Sequence, residues 1–142
     1  MPRVHKDIDI KAPISRVFSY LEDPRNSPEW MNSMIEVNDI KGAGPGTHYS
    51  WTWKMAGMKL KGESDLVEEI PNQKMVVKSK GTVESVWTFK LEPHGEATHL
   101  YLDVDYSIPL PVVGKVAEKI VLKQNEREAE MDIQNIKERL EE

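Results

Sequence analysis

The residues best suited to acid–base chemistry at neutral pH are the four histidines, His5, His48, His94 and His99. Imidazole gives or takes a proton near pH 7, so each is a candidate general acid or base. Alternation of polar and apolar residues places His5, His48 and His99 on the wetted sides of predicted strands, and His94 falls in a turn. None of them is predicted to lie inside the protein, so histidine catalysis is not expected.

Other signatures of catalysis or cofactor binding are missing from the sequence. It has no cysteine, which excludes disulfides and thiolate chemistry, and no HExxH or Gly-x-Ser-x-Gly motif. The stretch Gly42–Gly46 lacks the spacing of a nucleotide-binding loop and precedes a strand, so it is interpreted as a hairpin turn. The acidic pairs Glu68–Glu69 and Glu141–Glu142 are interpreted as solvated charges. We therefore predict no catalytic residue, no metal site and no cofactor.

The stretch GTHYSWTWKM carries a different kind of chemistry. Tyr49, Trp51, Trp53 and Met55 occupy every second position, and the residues between them are polar. This alternation is typical of a half-buried β-strand. One face of the strand therefore presents three large rings and a thioether, which is an apolar and adaptable surface.

The elements that position this face follow from periodicity and turn residues. A strand at 4–10 precedes a helix at 14–22 and a short helix that ends near Met34. Six strand patterns follow, at 35–41, 47–55, 57–69, 73–80, 82–92 and 97–108, and the chain ends in a helix to Glu142. Short links between consecutive strands predict an antiparallel meander with one dry face. The fold class is therefore α+β.

Composition limits the kinds of partner. A chain of 142 residues suits one domain, 1–142. The net charge of −5 argues against nucleic acid as a partner. No apolar run reaches the roughly 20 residues of a transmembrane segment. The N-terminal stretch lacks the apolar core of a secretory signal, so a cytoplasmic location is expected.

The final helix carries two apolar stripes on nearly opposite sides. One contains Ala129, Ile133, Ile136 and Leu140, and the other contains Val113, Val116, Ala117 and Ile120. A straight helix cannot bury both against one sheet, so we predict a bend or break between Val121 and Asn125. The earlier stripe would then line the mouth of a cavity or contact a partner chain, which leaves a homodimer open.

The order of elements and several segments resemble the START/polyketide-cyclase-like (SRPBCC) superfamily. The segments are IDIKAPISRVFSYLEDPRNSPEW at 8–30, GPGTHYSWTW at 44–53, VWTFKLEPHGEATHLYLDVDY at 86–106 and NIKERLEE at 135–142. The resemblance implies the helix-grip fold, in which a curved antiparallel seven-stranded sheet (β-α-α-β6-α) wraps around a long C-terminal helix. It also implies a cavity between sheet and helix that holds a hydrophobic small molecule or lipid.

With this resemblance, the alternating pattern predicts a set of cavity residues: Trp30, Met34, Tyr49, Trp51, Trp53, Met55, Met58, Ser64, Ser85, Trp87, Tyr106, Val116 and Ile120. Binding or transport of an apolar ligand is the preferred function. Two alternatives remain open. One is a polyketide cyclase/dehydratase-like enzyme that uses the same cavity, and the other is a protein-interaction module of the co-chaperone type, which would have a filled core.

Overall fold

Seven antiparallel strands form one curved sheet in the computed structural model, which describes residues 2–55, 57–81, 83–107 and 118–142. The strands are β1 Arg3–Ile10, β2 Met34–Lys41, β3 His48–Met55, β4 Met58–Ile70, β5 Lys74–Gly81, β6 Ser85–His94 and β7 Ala97–Tyr106. Their order in the sheet is β1-β7-β6-β5-β4-β3-β2. The predicted six-strand meander is thus present as β2 to β7.

The first strand lies beside the last one. β1 pairs antiparallel with β7, so that Arg3 is opposite Asp105 and Ile8 is opposite Leu100. This pairing brings the N-terminal strand to one edge of the sheet and leaves β2 at the other. It joins residues about a hundred positions apart, a contact that local periodicity does not reveal.

The two early helices are bounded by prolines. Helix α1 spans Ile14–Glu22 and follows Pro13; a 3₁₀ turn at Pro24–Asn26 leads into α2 at Ser27–Trp30. Asp23 is extended, as expected for a residue that precedes proline. The second helix ends earlier than predicted, because Met31 is extended, and residues 31–33 form a loop into β2.

The long C-terminal helix, α3, spans Glu118–Glu141 without interruption. Of the predicted bend or break between Val121 and Asn125, the break therefore does not occur. Since the helix continues through this segment, Ile120 keeps its direction away from the buried stripe and is 67% exposed. Val113, Val116 and Ala117 lie outside the described residues. The later stripe is buried as predicted: Ala129, Ile133, Ile136 and Leu140.

Helix α3 closes the concave side of the sheet, where it packs against β1 and α2. Its buried stripe meets the inward side chains of the strands, such as Leu100 and Leu102. No helix in the described segments is long and apolar enough to cross a membrane.

Candidate functional site

A cavity of about 90 Å³ lies between the concave face of the sheet and helices α2 and α3. All seven strands contribute to its lining, since the sheet curves around it. This volume is well below that of pockets for drug-sized ligands, roughly 300–1,000 Å³. The cavity therefore suits a compact molecule about the size of a single ring.

Nine of the residues predicted to line the cavity lie around it: Trp30, Met34, Tyr49, Trp51, Trp53, Ser64, Ser85, Trp87 and Tyr106. Two others lie elsewhere. Met58 packs instead beside Leu60 and Val83 in a small separate cluster, and Ile120 faces solvent. Val116 and the side chain of Met55 are outside the described part of the chain.

The four tryptophans form a continuous run of ring contacts along the cavity. Trp51 meets Trp53 at 6.4 Å between ring centroids, Trp53 meets Trp87 at 6.1 Å, and Trp87 meets Trp30 at 6.1 Å. Each pair is edge-to-face, with interplanar angles of 71°, 62° and 65° in the same order. Rings set at such angles form the walls of a box rather than a stack.

Close approach of Trp51 to the neighbouring strand depends on Gly62 of β4. A Cβ on Gly62 would overlap the Trp51 ring and lie 2.5 Å from the carbonyl oxygen of Lys80. Only glycine leaves room for both. The aromatic wall is therefore seated directly on the backbone of β4.

The inward serines are largely occupied by the indoles. Trp51 Nε1 donates to Ser64 Oγ at 2.8 Å, and Ser64 is in turn hydrogen-bonded to Ser79 at 2.5 Å. Trp87 Nε1 donates to Ser85 Oγ at 3.2 Å. The indole N–H of Trp53 is buried and has no acceptor among the described residues. It is thus the donor on this wall that a ligand oxygen would satisfy.

A buried carboxyl group, Asp132, lines the cavity from α3. Its side chain is 3% exposed, and it accepts a hydrogen bond from the backbone N–H of Asn32 at 3.2 Å. Burial raises the pKa of Asp132 to about 7, and the neighbouring charge of Glu128 acts in the same direction. The cavity therefore contains a group that exchanges a proton near neutral pH.

Glu128 lies one turn before Asp132 on α3 and also lines the cavity. It accepts a hydrogen bond from Ser33 Oγ at 2.5 Å. Asn135, one turn after Asp132, donates to the carbonyl oxygen of Trp30 at 3.2 Å. Three consecutive turns of α3 thus hold the 31–33 loop and the end of α2, and two of the three contacts use carboxylates.

Sequence reasoning missed both acids. Asp132 lies three residues after Ala129 and four before Ile136, so it falls within the stripe that was predicted to be buried. An acid inside an apolar stripe was the available signal. Neither Asp132 nor Glu128 was assigned a role from the sequence.

A second acid with a raised pKa lies away from the cavity, where Glu69 of β4 was predicted to be a solvated charge. Glu69 is half-buried, and burial together with the carboxylate of Glu22 raises its pKa to about 7.

The histidines lie outside the cavity, as predicted, and bind outward-facing acids; His99, for example, contacts Asp7 at 2.8 Å and Asp9 at 2.6 Å.

Residues 1–141 match the family model described as polyketide cyclase / dehydrase and lipid transport. The chain belongs to this family. No curated protein matches it. Family membership agrees with the resemblance and with the helix-grip architecture.

Solved structures of other proteins share the family's fold. A protein from Thermus thermophilus superposes with a TM-score of 0.85 at 22% identity, over 98% of this chain and 97% of the other. The Zhui aromatase/cyclase from a Streptomyces species gives 0.73 at 16% identity, over 99% and 93%. The Aha1 dimer from Colwellia psychrerythraea gives 0.67 at 18%, over 99% and 97%. At such identities the likeness establishes the fold alone.

Proposed function

We propose that this family member binds a compact, mainly apolar small molecule in the cavity between the sheet and α3. The observation that carries the proposal is the cavity itself, lined by all four tryptophans together with Tyr49 and Tyr106. Ligand sites are concave and largely apolar, with a few polar groups that fix orientation. A filled core, which the interaction-module alternative requires, does not fit this space.

The polar groups of the cavity indicate how such a ligand would be oriented. The indole N–H of Trp53 offers a donor, and the carboxyls of Asp132 and Glu128 lie on α3. Because the serines already bind Trp51 and Trp87, they contribute less to ligand recognition than the sequence suggested. The ligand is therefore a ring-bearing molecule with a polar substituent.

The proposal is tested by titrating the protein with 2-phenylethanol, which combines one ring with one hydroxyl. We expect a saturable change in tryptophan fluorescence, because all four tryptophans line the cavity. The variant Ala129→Leu adds bulk to a buried cavity position and should abolish the change. Ala43→Leu, in an exposed turn, is the matched control. Equal binding by Ala129→Leu and the wild type would refute the cavity as the site.

A second candidate function is cyclase/dehydratase-like catalysis in the same cavity, and Asp132 favours it. A carboxyl with a pKa of about 7 can serve as a general acid or base at neutral pH. Incubation with a short-chain polyketone thioester, whose cyclised part is a single ring, should then yield a cyclised product that mass spectrometry detects. Asp132→Asn should bind the thioester and form no product. Product formation by Asp132→Asn at the wild-type rate would exclude this role.

A further inference from the structure

The cavity has acids and aromatic rings but no cationic side chain among its described lining residues. Asp132 and Glu128 contribute the acids, and no lysine, arginine or histidine lines the space. Within the described residues, neither acid is within ion-pair distance of a cationic side chain, whereas outer-face acids such as Asp105 do have such partners. A ligand that pairs with these two acids would therefore carry a positive charge.

The hydrogen bonds of the two acids leave acceptor capacity free. Asp132 accepts one from the backbone of Asn32, and Glu128 accepts one from Ser33. A carboxylate has two oxygens and about four acceptor sites. An ammonium group brings up to three donors as well as charge, so it would complete the hydrogen bonding of these carboxylates.

The aromatic walls favour the same kind of group. Trp30, Trp53 and Trp87 are set at 62° and 65° to one another, so their π faces point in different directions. Tryptophan is the most favourable side chain for a cation–π contact, and enclosure of a cation by several rings is a known mode of ammonium recognition. An acid beside such a box adds a direct ion pair.

We propose that the ligand of this cavity is an organic amine in its protonated form, carried on a compact apolar ring. This inference rests on the proposed function, since it names the chemical class of the molecule bound there. The ring would contact the tryptophan walls, and the ammonium would bind the carboxylates of Asp132 and Glu128. An anionic ligand would be repelled by the same two acids.

The proposal predicts that binding releases a proton. The titratable groups around Asp132 are Glu128 on α3, Tyr49 on β3 and Tyr106 on β7, and α1, α2 and the 31–33 loop add no charged lining residue. Burial raises the pKa of both tyrosines, so they stay neutral. Asp132, with a pKa of about 7, is mostly protonated at pH 6, and an ammonium ion that binds at that pH must displace the proton.

The experiment compares three probes of equal size by isothermal titration calorimetry at pH 6 and pH 8: 2-phenylethylamine, 2-phenylethanol and phenylacetate. The amine stays protonated across this range, since its pKa resembles the roughly 10.4 of lysine. We expect the amine to bind about tenfold more tightly than the alcohol at pH 8. The affinity of the amine should be about tenfold lower at pH 6 than at pH 8. The alcohol should show no such loss at pH 6.

Matched variants locate the effect. Asp132→Asn keeps the shape and removes the charge, so it should lower amine affinity by about tenfold and leave the alcohol unchanged. Glu138→Gln makes the same change of charge at an exposed position of α3 and should bind both probes as the wild type does. Circular dichroism verifies folding, and if Asp132→Asn does not fold, the pH dependence of the wild type decides alone.

The outcomes separate this inference from the proposed function. Alcohol binding equal to or tighter than amine binding would overturn the amine proposal while leaving a cavity that binds neutral molecules. Tighter binding of phenylacetate would overturn it as well. Failure of all three probes to bind would end both proposals.

Discussion

Replacement of Asp132 by asparagine should stabilise the protein at alkaline pH and have little effect at acidic pH. The folded protein holds Asp132 as a buried group whose pKa rises from 3.8 to about 7. Between these two values the native state retains a proton that the unfolded chain has released. Stability due to this group is therefore lost as pH rises from about 4 to 7 and remains lost above that range.

The size of the effect follows from the pKa. A rise of about three units, at about 1.4 kcal/mol per unit, corresponds to roughly 4 kcal/mol by pH 8. This value is an upper bound, because Asp132 faces a cavity of about 90 Å³, and water in that space would solvate the carboxylate. Asparagine carries no charge, and its side-chain oxygen can still accept from the N–H of Asn32. The variant should therefore avoid most of this loss.

The assay is urea unfolding of the wild type and Asp132→Asn from pH 5 to pH 9, followed by circular dichroism. Between pH 5 and pH 8 the difference in unfolding free energy should grow in favour of the variant by up to about 2.5 kcal/mol, because the part of the loss that falls between pH 4 and pH 5 has already occurred. Glu69, whose pKa is also raised to about 7, affects both proteins equally and cancels. Glu138→Gln should show a constant difference from the wild type. A stability gap for Asp132→Asn that is the same at pH 5 and pH 8 would refute the buried-acid argument.

Two further predictions concern the walls of the sheet. Gly62→Ala should destabilise the protein by about 1–3 kcal/mol, since the new Cβ would overlap Trp51 and the backbone of Lys80; wild-type stability in urea would contradict the close packing. On the outer face, the carboxylate of Asp9 is the main cause of the raised pKa of His99. Asp9→Asn should lower the pKa of His99 in an NMR titration. A raised histidine pKa stabilises the folded state only at pH values at which the imidazole is protonated, so the variant should lose stability at acidic pH. An unchanged His99 titration would refute the assignment.

Much of the architecture was predictable because local rules governed it. Alternation placed Tyr49, Trp51 and Trp53 on the inner face, since side chains of a strand point to opposite sides in turn. Proline set the bounds of α1, because the residue before Pro24 disfavours the helical region. The pairing of β1 with β7 was not predicted, because no local pattern encodes a contact over such a sequence separation; the family resemblance implied only that β1 belongs to the sheet.

The chemistry of the cavity was less predictable, because it depends on tertiary contacts. An aspartate on a helix is exposed far more often than buried, and the burial of Asp132 depends on the sheet that curves around it. Glu69 was misjudged for the same reason, since the carboxylate of Glu22 that faces it belongs to α1. A charged residue within an apolar helix stripe is therefore the sequence feature that indicates a buried acid.

The two walls of the cavity differ in their unpaired groups: on the sheet the indole N–H of Trp53 has no acceptor among the described residues, and on the helix two acids have no cationic partner among them. On the sheet, Trp51 and Trp87 donate to serines of the same face, so their polar atoms are already paired. On α3, Asp132 and Glu128 retain free acceptor capacity and have no cationic partner among the described residues. Unpaired buried charge is costly unless something compensates for it. The selectivity of this site for its ligand therefore lies in the acids of one helix face, and substitutions on α3 should change which ligand binds more than substitutions of the serines do.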